Sequence, residues 1–241
     1  MSIIPTIKRF EAESYLSEIE TVVVDQSDGG VCLEQTVFYA ESGGQPGDSG
    51  SLLFEDGLCL PVADTRYIPG RLRILHVVTP PPGMVLTGRR VVARIDWPRR
   101  YRLMRMHTCL HLLCSAIDAP VTGCAIFPEY GRLDFDLEDT IDRAELTGRL
   151  NQLVARDEPI VIECAQDAAV PLVRTVDAAP PPASAEGLRV VRIGAIDRQP
   201  CGGTHVRSTA EVGPITVTNV QKKGRRHRRI KLVLDDAMPP A

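Results

Sequence analysis

Two short motifs, separated by about 90 residues, constrain this chain more than any other feature. The first contains His107 and His111, and the second, with the sequence CGGTH, contains Cys201 and His205. Side chains at positions i and i+4 of an α-helix share one face, so both imidazoles of the first motif can reach one ion. The two glycines of the second motif let the backbone curl tightly around such an ion. A fold that uses both motifs for one site must bring them together in space.

Zinc suits this set of side chains, because it is borderline-soft and accepts tetrahedral His and Cys ligands. Either pair alone is a weak signal, since two histidines on a helix are more often core or surface side chains. Four strong ligands in two compact pairs are more specific, and they predict a zinc site. A cysteine protease is disfavoured, because Cys201 and His205 on one tight turn could not easily pair as nucleophile and base with a separate orienting group.

The remaining histidines and cysteines fit structural roles. His76 lies in an apolar strand, where we expect a core or edge side chain, and His227 lies in a basic run, where we expect solvation. Cys114 shares the helix face of the two ligand histidines and is a rival fourth ligand, although core packing is the favoured interpretation. We expect the other cysteines to be buried as small hydrophobic side chains; these are Cys32, Cys59, Cys109, Cys124 and Cys164.

Composition narrows the class of protein. The chain has 241 residues, of which 44% are hydrophobic and 24% charged, as in ordinary globular proteins. No apolar run approaches the ~20 residues of a membrane span, and the N-terminus lacks the apolar stretch of a secretory signal. Seven cysteines without a CxxC spacing argue against a disulfide framework and for a reducing compartment. We therefore expect a cytoplasmic protein with no membrane partner.

The pattern of secondary structure changes at Trp97-Pro98. Before it, short β-branched and aromatic runs alternate with Gly/Pro-rich turns, which predicts a small β-barrel or sandwich. After it, apolar residues recur at spacings of three and four and predict an amphipathic helix to about residue 117. The second half is predicted to be α+β, with a further helix over 142–155 and a Pro/Ala-rich loop at 178–185. The predicted domains are residues 1–95 and 96–241. The predicted strands are 22–24, 31–39, 51–54, 58–62, 72–78, 91–95, 133–137, 160–164, 188–193, 215–220 and 230–234.

The formal net charge of −3 hides an uneven distribution of charge. Segments 1–88 and 107–213 each have a net charge of −7, whereas segment 89–106 carries +6 and segment 214–241 carries +5. Two concentrated basic segments in an otherwise acidic protein either form solvated faces or create a local site for a polyanion.

The two ligand motifs and their surroundings, together with three further stretches given below, resemble the AlaX family of free-standing alanyl-tRNA editing proteins, in the longer form with an extra N-terminal domain. The same pattern occurs in the editing domain of alanyl-tRNA synthetase. The matching stretches are ESGGQPGD at 41–48, DWPRRYRLMRMHTCLHLL at 96–113, GRLDFD at 131–136, CGGTHV at 201–206 and KKGRRHRRIKL at 222–232.

The resemblance implies both a fold and an activity. The fold is an N-terminal β-barrel like those of translation factors, followed by an α+β editing domain with a split zinc site. The activity is zinc-dependent hydrolysis of the ester that joins a wrong amino acid, usually serine or glycine, to the 3′ adenosine of the alanine tRNA. Such a hydrolytic site is needed because a small apolar pocket cannot strongly reject an isostere that adds one hydroxyl.

The resemblance also implies roles for single residues. Gly43, Gly44 and Gln45 would face the editing pocket, and Thr204 would either contact the substrate or make a structural side-chain–backbone bond. The zinc ligands, which are also the catalytic centre, would be His107, His111, Cys201 and His205. The two basic segments would hold tRNA phosphates, through Arg99, Arg100, Arg102, Lys222, Lys223, Arg225 and Arg226.

One departure from the family pattern concerns the substrate pocket. Family members usually carry a Gly-Gly-Gln-Ile-Gly-like stretch where this chain has GCAIF at 123–127, so Ala125 replaces a pocket glutamine. Either the pocket is retuned, with Phe127 reshaping it, or the activity is reduced. Three alternatives stay open: a deacylase for another β-hydroxy amino acid such as threonine or a threonine analogue, a non-catalytic tRNA-binding protein with a structural zinc, and a metal-binding protein unrelated to tRNA.

Overall fold

A computed structural model describes residues 4–166 and 187–235 of the chain. These residues form two compact units. The first unit contains residues 4–42 and 46–100, and the second contains residues 43–45 with the described residues from 101 onward. The predicted loop at 178–185 lies outside the described residues, and the predicted domain boundary after residue 95 stays a prediction.

The first unit is mainly an antiparallel sheet. Its elements are β1 (Ile7–Lys8), a one-turn helix α1 (Arg9–Ala12), β2 (Glu18–Ser27), β3 (Gly30–Leu33), β4 (Gln35–Thr36), β5 (Gly50–Phe54), β6 (Cys59–Val62), β7 (Asp64–Tyr67), β8 (Ile74–Val77) and β9 (Arg90–Ile95). The strand order of the large sheet is β6-β5-β9-β2-β3-β8-β7, while β1 and β4 form a separate parallel pair.

Alternation of side chains decides which face of this sheet is buried. In β9, Val91, Ala93 and Ile95 are buried, whereas Arg90 before them and Arg94 between the last two are exposed. This is the period of two that a strand with one core face requires. The buried side chains of β9 join those of β2, β3, β5 and β6 in one hydrophobic cluster.

A buried ion pair between Arg100 and Asp48 lies inside the first unit. The Arg100 Nε donates to both carboxylate oxygens of Asp48, at 3.0 and 2.9 Å. Its two terminal nitrogens donate to the backbone oxygens of Ser14 (3.1 Å) and Val37 (2.7 Å). Arg100 is fully buried, so the prediction that it contacts tRNA phosphates is wrong. Its charge neutralises an internal carboxylate instead.

The second unit contains two sheets, two helices and a 3-10 turn. Its elements are the greater part of α2 (Trp97–Ala116), followed by β10 (Val121–Ile126), β11 (Gly131–Asp136), α3 (Arg143–Val154), β12 (Ile160–Ala165), β13 (Leu188–Ile193), β14 (Asp197–Pro200), the 3-10 turn Thr209–Val212, β15 (Ile215–Gly224) and β16 (His227–Leu234). One sheet has the order β10-β11-β16-β15 and the other β12-β13-β14. The mixed helix-and-sheet class is as predicted. Among the described residues, none of the helices is long and apolar enough to cross a membrane.

Three strands carry no clear sequence signal. β7 and β14 are largely polar, and β10 contains Gly123 and Ala125, which are poor strand formers. Each nevertheless pairs with a neighbouring strand. Pairing along the sheet therefore outweighs the weak local preference of these segments.

The structure separates correct from incorrect burial predictions. His76 is buried as expected, with its Nε2 2.7 Å from the Thr36 hydroxyl. Burial lowers the pKa of His76 to about 4. The prediction of burial is wrong for Cys59 and Cys164, which are exposed. In β6 the alternate residues Leu60 and Val62 are the buried ones, so Cys59 faces solvent, and none of the residues of β12 is buried.

The buried ion pair generates a stability prediction. We expect Asp48→Asn to lower the free energy of unfolding by about 3–5 kcal/mol, since it leaves the Arg100 charge buried and uncompensated. As a control, Glu18→Gln removes a more than half-exposed partner of Arg94 and should change that free energy by less than about 1 kcal/mol. Urea unfolding of both variants measures the difference, and equal effects would contradict the role assigned to Asp48.

Candidate metal centre

Helix α2 carries the first pair of predicted ligands in an entirely buried stretch. All residues from 102 to 114 are buried, so the prediction of an amphipathic helix with a solvent face is wrong for this stretch. Arg102 and Arg105 are tolerated there because they donate to backbone carbonyls, Arg102 to Pro128 (2.6 Å) and Arg105 to Val212 (3.0 and 2.7 Å). A helix packed on all sides holds its side chains in fixed positions.

The four predicted ligands meet in one buried cluster. One ligand atom from each of His107, His111, Cys201 and His205 lies within 4.8 Å of the others. The Cys201 Sγ is 3.5 Å from His107 Nε2 and 3.3 Å from His205 Nε2. The second unit therefore brings the two motifs together, and the cluster could hold a metal ion.

Each histidine of the cluster is held through its Nδ1 by the side chain of a different residue. This arrangement is typical of metal sites, because an acceptor on one ring nitrogen orients the imidazole and leaves the other nitrogen for the ion. The three partners come from the loop at 43–45, from β14 and from α2 itself. The pairs are His107–Gln45 (2.9 Å), His111–Asp197 (2.9 Å) and His205–Thr108 (3.0 Å).

Gln45 and Thr204 form a closed hydrogen-bonded set beside His107. The Gln45 Nε2 donates to the Thr204 hydroxyl (2.8 Å), and the Thr204 N–H donates back to Gln45 Oε1 (3.2 Å). Both side chains are fully buried. These bonds give Thr204 a structural role and make Gln45 an orienting partner of a ligand. Gly43 and Gly44, at φ 58° and 84°, form the turn that delivers Gln45.

Gly203 allows the CGGTH turn to approach the helix. A Cβ at this position would lie 2.1 Å from His107 Cε1 and 2.4 Å from its Nδ1. The Gly203 N–H also points at the Cys201 sulfur, 3.4 Å away. Any side chain at residue 203 would therefore displace His107.

Electrostatics favours the thiolate at Cys201. Burial raises the pKa of this thiol, but electrostatic attraction between the thiolate and the His107 and His205 rings, together with hydrogen bonds from His107 and His111, outweighs it and holds the pKa well below its usual range. Burial, reinforced by the charge of His107, keeps the pKa of His205 well below its usual range. Burial lowers the pKa of His111 too, yet the bonds to Asp197 and Cys201 prevail and raise it to about 9. The thiolate of Cys201 and the neutral imidazole of His205 are ligand forms that a metal ion requires, whereas His111 would release a proton when it binds the ion.

The structure distinguishes Ala125 from its neighbour Cys124. Ala125 pairs with Arg132 across the β10–β11 ladder, whereas the Cys124 sulfur lies where a Cβ on Gly44 would contact it at 3.0 Å. Burial, and then the negative charge of Cys201, raise the pKa of Cys124 to about 12. Since neighbouring strand residues point to opposite faces, Cys124 and not Ala125 points toward the glycine loop. A pocket role for Ala125 stays a prediction.

The predicted phosphate-binding residues fall into two groups. Arg99 donates to the Gly47 carbonyl (2.8 Å), and Arg102 is buried, so both guanidinium groups make contacts inside the protein. The other group is exposed on the β15–β16 hairpin and comprises Lys222, Lys223, Arg225 and Arg226. Arg226 is bound to Asp136 (3.0 Å), and Arg225 lies 4.0 Å from Glu138.

Sequence reasoning missed three members of the site: Asp197, Thr108 and Gln199. Gln199 donates to the same carboxylate oxygen of Asp197 that faces His111 (2.9 Å). The only signal in the sequence concerned Asp197 and Gln199, which occupy alternate positions shortly before Cys201. Recognising β14 as a strand would have put both side chains on one face.

Removal of the thiolate should empty the centre. We expect Cys201→Ala to abolish stoichiometric metal binding, because it removes the only thiolate of the four-residue set and leaves three imidazoles. Elemental analysis of the purified protein measures the loss. The control Cys59→Ala removes an exposed thiol in the first unit and should keep the wild-type metal content. Full metal content in Cys201→Ala would contradict the ligand assignment.

A second prediction concerns Asp197. We expect Asp197→Asn to weaken metal binding by about 10–100-fold, the usual effect of losing an outer partner of a ligating histidine. Competition with a chromophoric chelator gives the affinity. Glu163→Gln is a matched control, because Glu163 lies on the same sheet but pairs with Arg192 and Arg198. An unchanged affinity in Asp197→Asn would show that the carboxylate does not support the site.

Family models match two stretches of the chain. Residues 6–99 match the model described as tRNA synthetases class II (A). Residues 188–231, which include the CGGTH motif, match the threonyl and alanyl tRNA synthetase second additional domain.

Curated relatives cover most of the chain. AlaX-M, an alanyl-tRNA editing protein of Methanosarcina acetivorans, is 35% identical over 240 residues, covering 93% of this chain and 97% of the relative. AlaX-L of Pyrococcus horikoshii is 36% identical over 91% of this chain, which spans only 55% of that longer protein. An alanine–tRNA ligase of Methanoculleus marisnigri is 34% identical over 92% of this chain, which spans 25% of the ligase.

The similarity to AlaX-M extends over nearly the full length of both proteins. It confirms the resemblance found in the sequence. The chain belongs to the AlaX family of alanyl-tRNA editing proteins.

Proposed function

We propose that this protein is a trans-editing hydrolase that removes a wrong amino acid, most often serine or glycine, from the alanine tRNA. The buried cluster of three imidazoles and one thiolate carries this proposal. The similar proteins add support, because the relatives that match over nearly their full length are named alanyl-tRNA editing proteins. We place the reaction in the cytoplasm, where aminoacyl-tRNA is made and used.

Zinc is the ion we propose for the cluster. Three nitrogen donors and one thiolate form a set that zinc binds in tetrahedral geometry. Each Nδ1 is hydrogen-bonded to a side chain, so the three Nε2 atoms remain for the ion. Metal-binding histidines usually have this arrangement. When bound, zinc would supply a Lewis acid that polarises the ester carbonyl or lowers the pKa of a water.

The chain itself contributes position and burial. Asp197 and Gln45 fix two imidazole rings, and the low pKa of Cys201 keeps its thiolate available. Gly43 and Gly44 are exposed and carry no side chains, so the backbone of this loop can approach a small substrate next to Gln45. Such preorganised groups stabilise a transition state without reorganising during the reaction.

We also propose the two-domain arrangement of the longer AlaX form, with a barrel domain at 1–95 and an editing domain at 96–241. In the sheet of the first unit, the outer strands β6 and β7 are separated along the chain by Ala63 alone. When the two outer strands of a sheet are consecutive along the chain, they can come together and close the sheet into a barrel, which leaves no free edge strand.

For the polyanion, we propose that the exposed basic turn of the β15–β16 hairpin holds tRNA phosphates. Lys222, Lys223, Arg225 and Arg226 are all exposed there. Contacts of this kind give affinity and depend on salt, but they carry little sequence information. Arg100 is not part of this surface.

The deciding experiment is a deacylation panel with the metal content measured on the same preparation. We expect hydrolysis of seryl- and glycyl-tRNA-Ala well above the uncatalysed rate. Alanyl-tRNA-Ala should be spared, because an editing site acts on mischarged products and leaves the correct product intact. Cys201→Ala should lose this activity together with its metal, and Cys59→Ala should keep both.

The same panel separates the alternatives. Activity on threonyl-tRNA with inertness toward seryl- and glycyl-tRNA would replace our substrate with another β-hydroxy amino acid, as the Ala125 substitution suggested. Binding of tRNA with no hydrolysis of any ester would make the protein a tRNA-binding protein with a structural zinc.

A further inference from the structure

Phe127 is unusual among the aromatic side chains of this protein. The sequence contains five Phe, five Tyr and one Trp, and all of them lie within the described residues. Phe127 alone among them is exposed, with 40% of its surface accessible. It occupies the turn between β10 and β11. A single exposed apolar side chain needs no special explanation, so the surroundings of this ring decide whether it has a role.

The surroundings form a preorganised aromatic platform. The rings of Phe127 and Tyr130 lie 4.7 Å apart at an angle of 34°, and the Lys231 ammonium lies 3.8 Å from the Tyr130 ring centre. The Phe127 N–H donates to the Tyr130 carbonyl (2.9 Å), and Arg102 donates to the Pro128 carbonyl (2.6 Å). The turn is therefore fixed by hydrogen bonds before any ligand binds.

The platform adjoins a basic face of the sheet. Arg132 pairs with Lys231, and Asp134 pairs with Arg229, across the β11–β16 ladder, so these four side chains share one face. Arg229 binds both oxygens of Asp134, each at 2.7 Å, and this neutralises the one carboxylate of the group. Arg132 lies 3.6 Å from the same carboxylate, so three cations face one anion, and Arg132 and Lys231 provide the surplus positive charge next to the rings.

The platform also lies close to the metal cluster. The Ile126 N–H, one residue before Phe127, donates to the Gly44 carbonyl (2.9 Å). Gly44 is followed by Gln45, which holds His107. β10 is an outer strand of its sheet, so the glycine loop contacts this edge next to Phe127 and, through Gln45, also contacts the cluster.

We propose that Phe127 and Tyr130 stack a nucleobase from the single-stranded 3′ end of the aminoacyl-tRNA, while Arg132 and Lys231 hold the adjoining phosphates. The inference rests on the proposed function. An exposed ring beside surplus positive charge matches how proteins bind single-stranded RNA, by stacking bases on aromatic side chains and attracting the backbone. The terminal base is the natural occupant, because the ester it carries must reach the cluster beyond Gly44.

The test uses an uncharged RNA minihelix of the acceptor stem whose terminal adenine is replaced by 2-aminopurine. Stacking quenches the fluorescence of this base. We expect the full-length wild-type protein to quench it, and Phe127→Leu to lose the quenching and bind about 5- to 150-fold more weakly, the range given by one lost stack. Phe127→Tyr keeps an aromatic ring and should retain both properties, and unchanged metal content in each variant checks that the fold is intact.

The outcomes separate the two proposals. Equal binding and quenching in wild type, Phe127→Leu and Phe127→Tyr, or wild-type binding without quenching, would overturn the stacking proposal even if deacylation is normal. Quenching that requires the aromatic ring, in a protein that hydrolyses no mischarged tRNA, would support the platform and reject the proposed function. Failure of the minihelix to bind at all would overturn the platform and leave the exposed ring to a protein partner.

Discussion

Four ionisable side chains are buried together in the second unit, and they can remain there only because each is paired. An isolated buried charge or unsatisfied polar group would be strongly destabilising. Here the Cys201 thiolate faces the imidazoles, and each imidazole uses its other nitrogen to bind a separate acceptor. The fully buried part of α2, the Gly203 turn and the glycine loop all follow from this requirement, since each brings one of these groups within reach.

The local part of the site could be predicted from the sequence, and the long-range part could not. Helical spacing places His107 and His111 on one face whatever the rest of the fold does, and CGGTH predicts its own tight turn. By contrast, Asp197 supports His111 only because β14 pairs with β13. Gln45 was assigned to the substrate, yet it holds a ligand from 62 residues away along the chain. Partner choice of this kind depends on tertiary packing.

Charge was the least reliable guide to function. Segment 89–106 predicted a phosphate-binding surface, but its arginines include Arg100, Arg102 and Arg105, which are buried and bind a carboxylate or backbone carbonyls. A guanidinium has five donors, so it can satisfy several internal acceptors at once. The number of basic residues in a segment therefore does not reveal whether they face solvent. In the same way, a low aromatic content of 5% concealed one exposed ring.

The three acceptors that hold the histidines lie at residues 45, 108 and 197, with the thiolate at 201. During synthesis, the ribosome releases His107 and Gln45 long before the last ligands exist. A nascent chain therefore offers an ion at most two of the three imidazoles of this cluster, and the complete set forms only after residue 205 has emerged and β14 has paired. Tight retention of an ion at this cluster would therefore require a chain in which both motifs are made and β14 has paired.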